Sequence, residues 1–216
     1  LLVSQGSGYD IYYGAPNWSQ MTASLDAATG NTIDVVANFE DLSIMMGYDA
    51  LWLDQRGESG SLSVSEMANI SAFIGSGRRV VMIGENRSWS AWNNQLLSIV
   101  GGTFIGETPS GVNDPISSVI SHPITDTAPV IQTICAGIAD GGTALYTINF
   151  AALWGPQDNV LTLFDSNILE NDYLGYSMNT QFASNVAKWI AAPVPVPGAF
   201  SLLFCGLIAL TGIKRK

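Results

Sequence analysis

Short apolar runs separated by helix-forming stretches constrain this chain more than any other feature. Leu1–Ser4, Ile33–Val36, Ala50–Leu53, Arg79–Ile83 and Asn159–Phe164 are dominated by Val, Ile and Leu. Such runs are the pattern of strands buried on both faces of a parallel sheet. Between them lie helix signals over Ser19–Ala28, Ser63–Ile74, Trp89–Val100 and Met178–Ala191. The second is the best bounded. Ser63 and Glu66 have capping-box spacing, Leu62 and Met67 are placed to staple the first turn, and Gly75 with Gly77 ends it. Gly101-Gly102 stops the third helix and Pro193 closes the last. Strand and helix in this alternation predict a doubly wound α/β domain with a mostly parallel sheet over residues 1–192. Residues 103–158 break the alternation. They are rich in Gly, Pro, Thr and Asn and are expected to hold short antiparallel strands and long loops.

The C-terminus follows a different logic. A proline-stiffened linker over residues 193–197 leads into an apolar run, Gly198–Ile213, and then Lys214-Arg215-Lys216. Apolar residues cost little at a bilayer centre, whereas Lys and Arg cost several kcal/mol. The run is expected to enter lipid as a single transmembrane helix, with the basic end as its membrane stop. At about 1.5 Å per residue the run alone falls short of a roughly 30 Å core. Counting from Val194 and letting the lysines snorkel makes up the difference. The positive-inside rule puts the basic end in the cytoplasm and the domain outside.

The order Val194-Pro195-Val196-Pro197-Gly198, apolar run, basic cluster resembles the PEP-CTERM sorting signal of Gram-negative bacteria, in its Val-Pro-x-Pro variant. Val196 stands where the commonest form has Glu. The resemblance implies export, transient anchoring in the inner membrane, processing by an exosortase, and delivery to the cell surface or an exopolysaccharide or biofilm matrix. Export needs a signal peptide. The chain opens on the strand-like Leu1-Leu2-Val3, so that segment is expected to be removed or to lie upstream.

Charge limits the partners. All 18 acidic residues precede the tail, against five basic ones, Arg56, Arg78, Arg79, Arg87 and Lys188, leaving the domain at −13. Nucleic acid is excluded as a partner, because phosphate recognition needs clustered Lys and Arg. Of the two cysteines, Cys205 lies in the apolar run and Cys135 in the domain, so no disulfide is expected.

The stretches YDALWLDQRGESGSLSVSEMANISAFIGSGRRVVMIGEN and DNVLTLFDSNIL, with a closing helix ending in KWI, resemble the class I glutamine amidotransferase-like superfamily. They are closest in pattern to its non-catalytic domains in secreted bacterial proteins, and the resemblance implies a flavodoxin-like fold. The superfamily's enzymes carry a nucleophilic Cys on a sharp turn after a central strand. Here Glu85 stands near that place, in Gly84-Glu85-Asn86-Arg87-Ser88. The sole histidine, His122, is in a separate loop and precedes Cys135, the reverse of the family order. Cys135 reads as a small buried apolar residue. Ser88 has no imidazole nearby in sequence. No catalytic residue and no cofactor are assigned. One His and no Cys cluster leave zinc without ligands. Asp165-Ser166-Asn167 and Asn171-Asp172 miss the calcium-loop spacing and read as Asx-turns.

What remains is the edge where parallel strands end. Asp54, Arg56, Glu85, Asn86 and Asp165 follow three of the strands, with Trp89, Trp92 and Tyr9 close by in sequence. Open α/β sheets bind ligands at this edge. Acids and amides beside aromatic rings suit sugar hydroxyls. The function expected is a non-catalytic structural or binding role. The alternatives are a glycan-binding module using this edge, with extracellular polysaccharide as partner, or a divergent amidotransferase-like or hydrolase enzyme.

Overall fold

The computed structural model describes residues 1–7 and 10–193. Tyr9, the sorting motif Val194–Gly198, the apolar run and the stop Lys214, Arg215 and Lys216 lie outside the described residues. Among those described, no helix is long and apolar enough to cross a membrane.

The domain is an α/β fold around a mixed seven-stranded sheet. Its strands are β1 (Leu2–Ser4), β2 (Asp34–Val36), β3 (Ala50–Leu53), β4 (Arg79–Ile83), β9 (Thr143–Ala144), β10 (Ala151–Trp154) and β11 (Val160–Leu163). Their order is β2-β1-β3-β4-β11-β10-β9. The first five in that order run parallel, and β10 and β9 add to the edge antiparallel. Each of the five apolar runs forms a strand, within a residue or two of the expected bounds.

Period-two alternation feeds two cores. Val3, Trp52, Val81, Leu161 and Leu163 face α1 (Ser19–Thr29) and α5 (Asn179–Ala191), packing with Met21, Leu25, Phe182 and Val186. Leu2, Leu51, Leu53, Val80, Met82 and Val160 face the other way. They meet Ile70 and Phe73 of α3 (Val64–Gly75) and Trp92, Leu96 and Leu97 of α4 (Ser90–Val100). Helices on both faces explain why the strands lack a polar side. The α3 start is the expected capping box: Ser63 Oγ accepts from Glu66 N–H at 3.0 Å, and Glu66 accepts from Ser63 N–H at 3.1 Å. A short helix, α2 (Leu42–Met45), capped by Asp41, was not legible in the sequence pattern.

Residues 103–158 hold two antiparallel pairs besides β9 and β10. These are β5 (Thr103–Glu107) with β8 (Gly137–Asp140), and β6 (Ile116–Ser117) with β7 (Val130–Ile131). At the opposite end of the sheet from the polar strand-end loops, the Arg79 guanidinium stacks on Trp189, 5.1 Å from the ring centre. It donates to the carbonyls of Trp189 and of Ala192, the latter at 2.7 Å.

Candidate functional site

The order β2-β1-β3 reverses direction between β1 and β3, where open α/β sheets leave a crevice. Here it is stitched shut. Ser7 N–H donates to Gln55 C=O at 3.0 Å, and Ser7 bridges Arg56 in parallel register. Gln55 Nε2 donates to Ile11 C=O at 3.0 Å, and Asp54 Oδ2 accepts from Tyr13 N–H at 2.9 Å. The open space lies toward β4 and β11. It is a cleft of about 330 Å³ lined by Ile11, Glu58, Glu85, Asn86, Ser88, Trp89, Asn167 and Glu170, within the size range of small-molecule sites.

Glu85 is placed by the turn that ends β4. A Cβ at Gly84 would collide with Asn93 Oδ1 and the Phe164 ring, so glycine is required there. Asn93, buried on α4, holds the turn. Its Oδ1 accepts from Glu85 N–H at 3.1 Å, and its Nδ2 donates to the carbonyls of Glu85 and Asn86 at 2.6 and 3.2 Å. The Glu85 carboxyl accepts from Asn86 N–H at 3.1 Å, from Ser166 N–H at 2.9 Å, and from the Ser166 hydroxyl. Burial outweighs these donors and pushes its pKa up to about 7. Asp165 beside it is fully buried. One oxygen accepts from Ile134 N–H at 2.7 Å, and Oδ1 has no partner among the described residues. Burial first, and then the Glu85 charge, raise Asp165 well above the ordinary carboxyl range. Glu170, half-buried, is raised to about 7 by burial and then by Asp172.

Of the five edge residues expected from sequence, Glu85 and Asn86 line the cleft. The other three do not: Asp54 and Asp165 are fully buried, and Arg56 is paired with Glu66. Asp54 is fully buried, with Oδ1 accepting from the Trp52 indole N–H at 2.7 Å, and its pKa rises to about 7. Arg56 turns to α3, where its guanidinium grips the Glu66 carboxylate through two hydrogen bonds of 2.7 and 3.0 Å. Asp165 and Ser166 are buried and open a 3-10 turn, Ser166–Leu169, rather than an exposed Asx-turn. Trp92, offered as a sugar platform, is also buried, its indole N–H donating to Ile83 C=O at 2.8 Å.

Cys135 differs from the apolar filler expected. It is half-buried, adopts φ +62, and its Sγ lies 3.9 Å from Glu107 Oε2. Burial, and then the carboxylates of Glu107, Glu85 and Asp165, raise its thiol pKa, so it stays protonated at neutral pH. His122 groups with Trp189, 6.3 Å between ring centres, at the Arg79 end of the sheet, and burial lowers its pKa. The sequence reading missed Ile11, Glu58 and Glu170 as cleft residues. Glu58 and Glu170 lie several residues past their strand ends, on loops with no motif to mark them. No group of His, Cys, Asp and Glu among the described residues is arranged to hold a metal ion.

No protein-family model matches the chain, and no curated protein matches it significantly. Solved structures do match. The N-terminal domain of mmIFT52 superposes with TM-score 0.68 at 13% identity, covering 88% of this chain and 100% of that one. A putative ThuA-like protein from Bacteroides uniformis gives 0.58 at 12%, covering 88% and 89%. A putative GMP synthase component from Thermoplasma acidophilum gives 0.57 at 10%, covering 94% and 96%. The domain therefore belongs to the α/β class, with a mixed sheet and helices on both faces. Its fold is the glutamine amidotransferase-like fold that the ThuA-like and GMP synthase-like structures share. Identities this low carry the fold alone.

Proposed function

We propose that this chain is an exported cell-surface or matrix protein whose domain binds a saccharide in the strand-end cleft without transforming it. The cleft carries this reading. The lining combines carboxyl, amide and hydroxyl groups of Glu58, Glu85, Glu170, Asn86, Asn167 and Ser88 with the largely buried Trp89 and Ile11, a set that suits hydroxyl-rich ligands. The protein groups on the Glu85 carboxyl are donors from Asn86 and Ser166, which hold it in place. Export rests on the tail: its order of motif, apolar run and basic stop supports handling by an exosortase at the inner membrane of a Gram-negative bacterium. The sorting signal belongs to the sequence alone.

A second reading, a divergent hydrolase, has one observation in its favour. A carboxyl with pKa about 7 is suited to general-acid work. The test is a panel of bacterial exopolysaccharides and their oligosaccharides, screened for binding and for cleavage. Saccharide binding that disappears in Ser88→Trp, an exposed rim position whose enlargement fills the cleft, is the expected result. No binding across the panel, or binding indifferent to that change, refutes the reading. Cleavage abolished by Glu85→Gln establishes the hydrolase instead.

A further inference from the structure

The charge lining the cleft narrows the ligand further. Its titratable side chains are Glu58, Glu85 and Glu170, and they come from three segments that converge there. Asp165 adds a fourth carboxyl next to Glu85, and one of its oxygens is buried with no hydrogen-bond partner among the described residues. The surrounding charges are of the same sign. Asp172 acts on Glu170, and Glu107 lies against Cys135. Arg56 is committed to Glu66, and Arg87, exposed on the 3-10 turn Arg87–Trp89, is not part of the lining. A uronate or phosphate placed here meets several carboxyls and no lining cation. A ligand ammonium instead meets the buried Glu85 and half-buried Glu170 carboxyls, and charge-assisted hydrogen bonds are the strong ones.

We propose that the cleft selects an amino sugar, a saccharide with a free protonated amine seated among Glu58, Glu85 and Glu170, over neutral and uronic acid saccharides. This rests on the saccharide reading above. The amine fixes the orientation of the ring. The amides of Asn86 and Asn167 and the Ser88 hydroxyl serve the sugar hydroxyls. Binding draws Glu85 and Glu170, which burial pushes up to about 7, into their charged form, so these carboxyls release protons as the ligand enters.

Calorimetric titration of the full chain in a non-ionic detergent tests this. The probes are tetramers of β-1,4-linked glucosamine, its N-acetylated counterpart and a β-1,4-linked uronate, at pH 6.5 and low salt. The glucosamine tetramer is expected to bind at least tenfold more tightly than the acetylated one, with the uronate not binding. In Glu170→Gln, where an amide replaces a half-buried carboxyl, the preference should shrink severalfold. Ser88→Trp should abolish binding, which separates the cleft from general attraction to an acidic surface. Proton release should be visible as a dependence of the heat on buffer ionisation. Equal or tighter binding of the acetylated or uronate tetramer at the cleft overturns the amino-sugar assignment and leaves the saccharide reading standing. A preference unchanged in both Glu170→Gln and Glu58→Gln overturns it too. No binding of any tetramer overturns the amino-sugar assignment, and the exopolysaccharide panel then decides the saccharide reading.

Discussion

Asp54→Asn is a sharp test of the buried strand-end acids. Asp54 is fully buried and accepts from the Trp52 indole and Tyr13 N–H at 2.7 and 2.9 Å. Unfolded, it loses its proton near its ordinary value of 3.8; folded, burial makes it hold the proton to about 7. The folded state therefore binds more protons through that window, and stability falls as pH rises across it. Relative to fully acid conditions the loss is about 1.5 kcal/mol at pH 5 and about 4 kcal/mol at pH 8. Asparagine does not titrate, but its NH2 must confront one of the two donors, costing about 2 kcal/mol at any pH. The variant should be about 2 kcal/mol less stable than the parent under fully acid conditions and about 0.5 kcal/mol less stable at pH 5. By pH 8 the difference should move by about 2.5 kcal/mol and change sign, leaving the variant about 2 kcal/mol the more stable. Urea unfolding of both proteins at the two pH values measures this, and every other titrating group cancels in the difference. A deficit identical at pH 5 and pH 8 would show that Asp54 titrates normally, and the reasoning from burial would fail.

Three further outcomes are expected. Arg56→Ala leaves the Glu66 carboxylate, 4% exposed, without its bidentate partner and should destabilise by about 3 kcal/mol in urea melts. Gly84→Ala forces Asn93 and Phe164 apart and should cost about 2 kcal/mol and displace the Glu85 turn, whereas Gly106→Ala, with open space around its Cβ, should change stability by less than about 0.5 kcal/mol. Residues 194–216 fused to an exported reporter should alter its size and location only in a strain with an exosortase; identical behaviour without the enzyme refutes the sorting assignment.

The sheet was legible because strands buried on both faces leave a dense apolar signature. Leu51-Trp52-Leu53 and Val80-Val81-Met82-Ile83 can hardly be anything else. The antiparallel strands β9 and β10 were less so. Ala151–Trp154 is as fully buried as β11, yet it is short, Ala-rich and set among glycines and prolines. The site was half legible. Strand ends mark where a ligand edge lies, which found Glu85 and Asn86. Local sequence does not say whether an acid after a strand faces out or sinks. Asp54 sinks because its own strand supplies an indole donor two residues earlier, and Arg56 leaves because α3 offers a carboxylate across the sheet edge. The Tyr13 N–H that completes the Asp54 site and the Glu66 carboxylate that takes Arg56 both come from other segments, which the local pattern does not reveal. Cys135 was misread for the same reason: its left-handed backbone is set by the loop between β7 and β8, not by a neighbouring glycine.

The Arg79 contact has a mechanical consequence. It ties the last turn of α5 to the first residue of β4, which sits between β3 and β11. Tension applied through residue 193 therefore enters the middle of the sheet, not a rim. Two carbonyl contacts and a stacked indole carry it into a strand flanked by parallel ladders, which must shear together to yield. Loss of the guanidinium would free the last turn of α5 from β4.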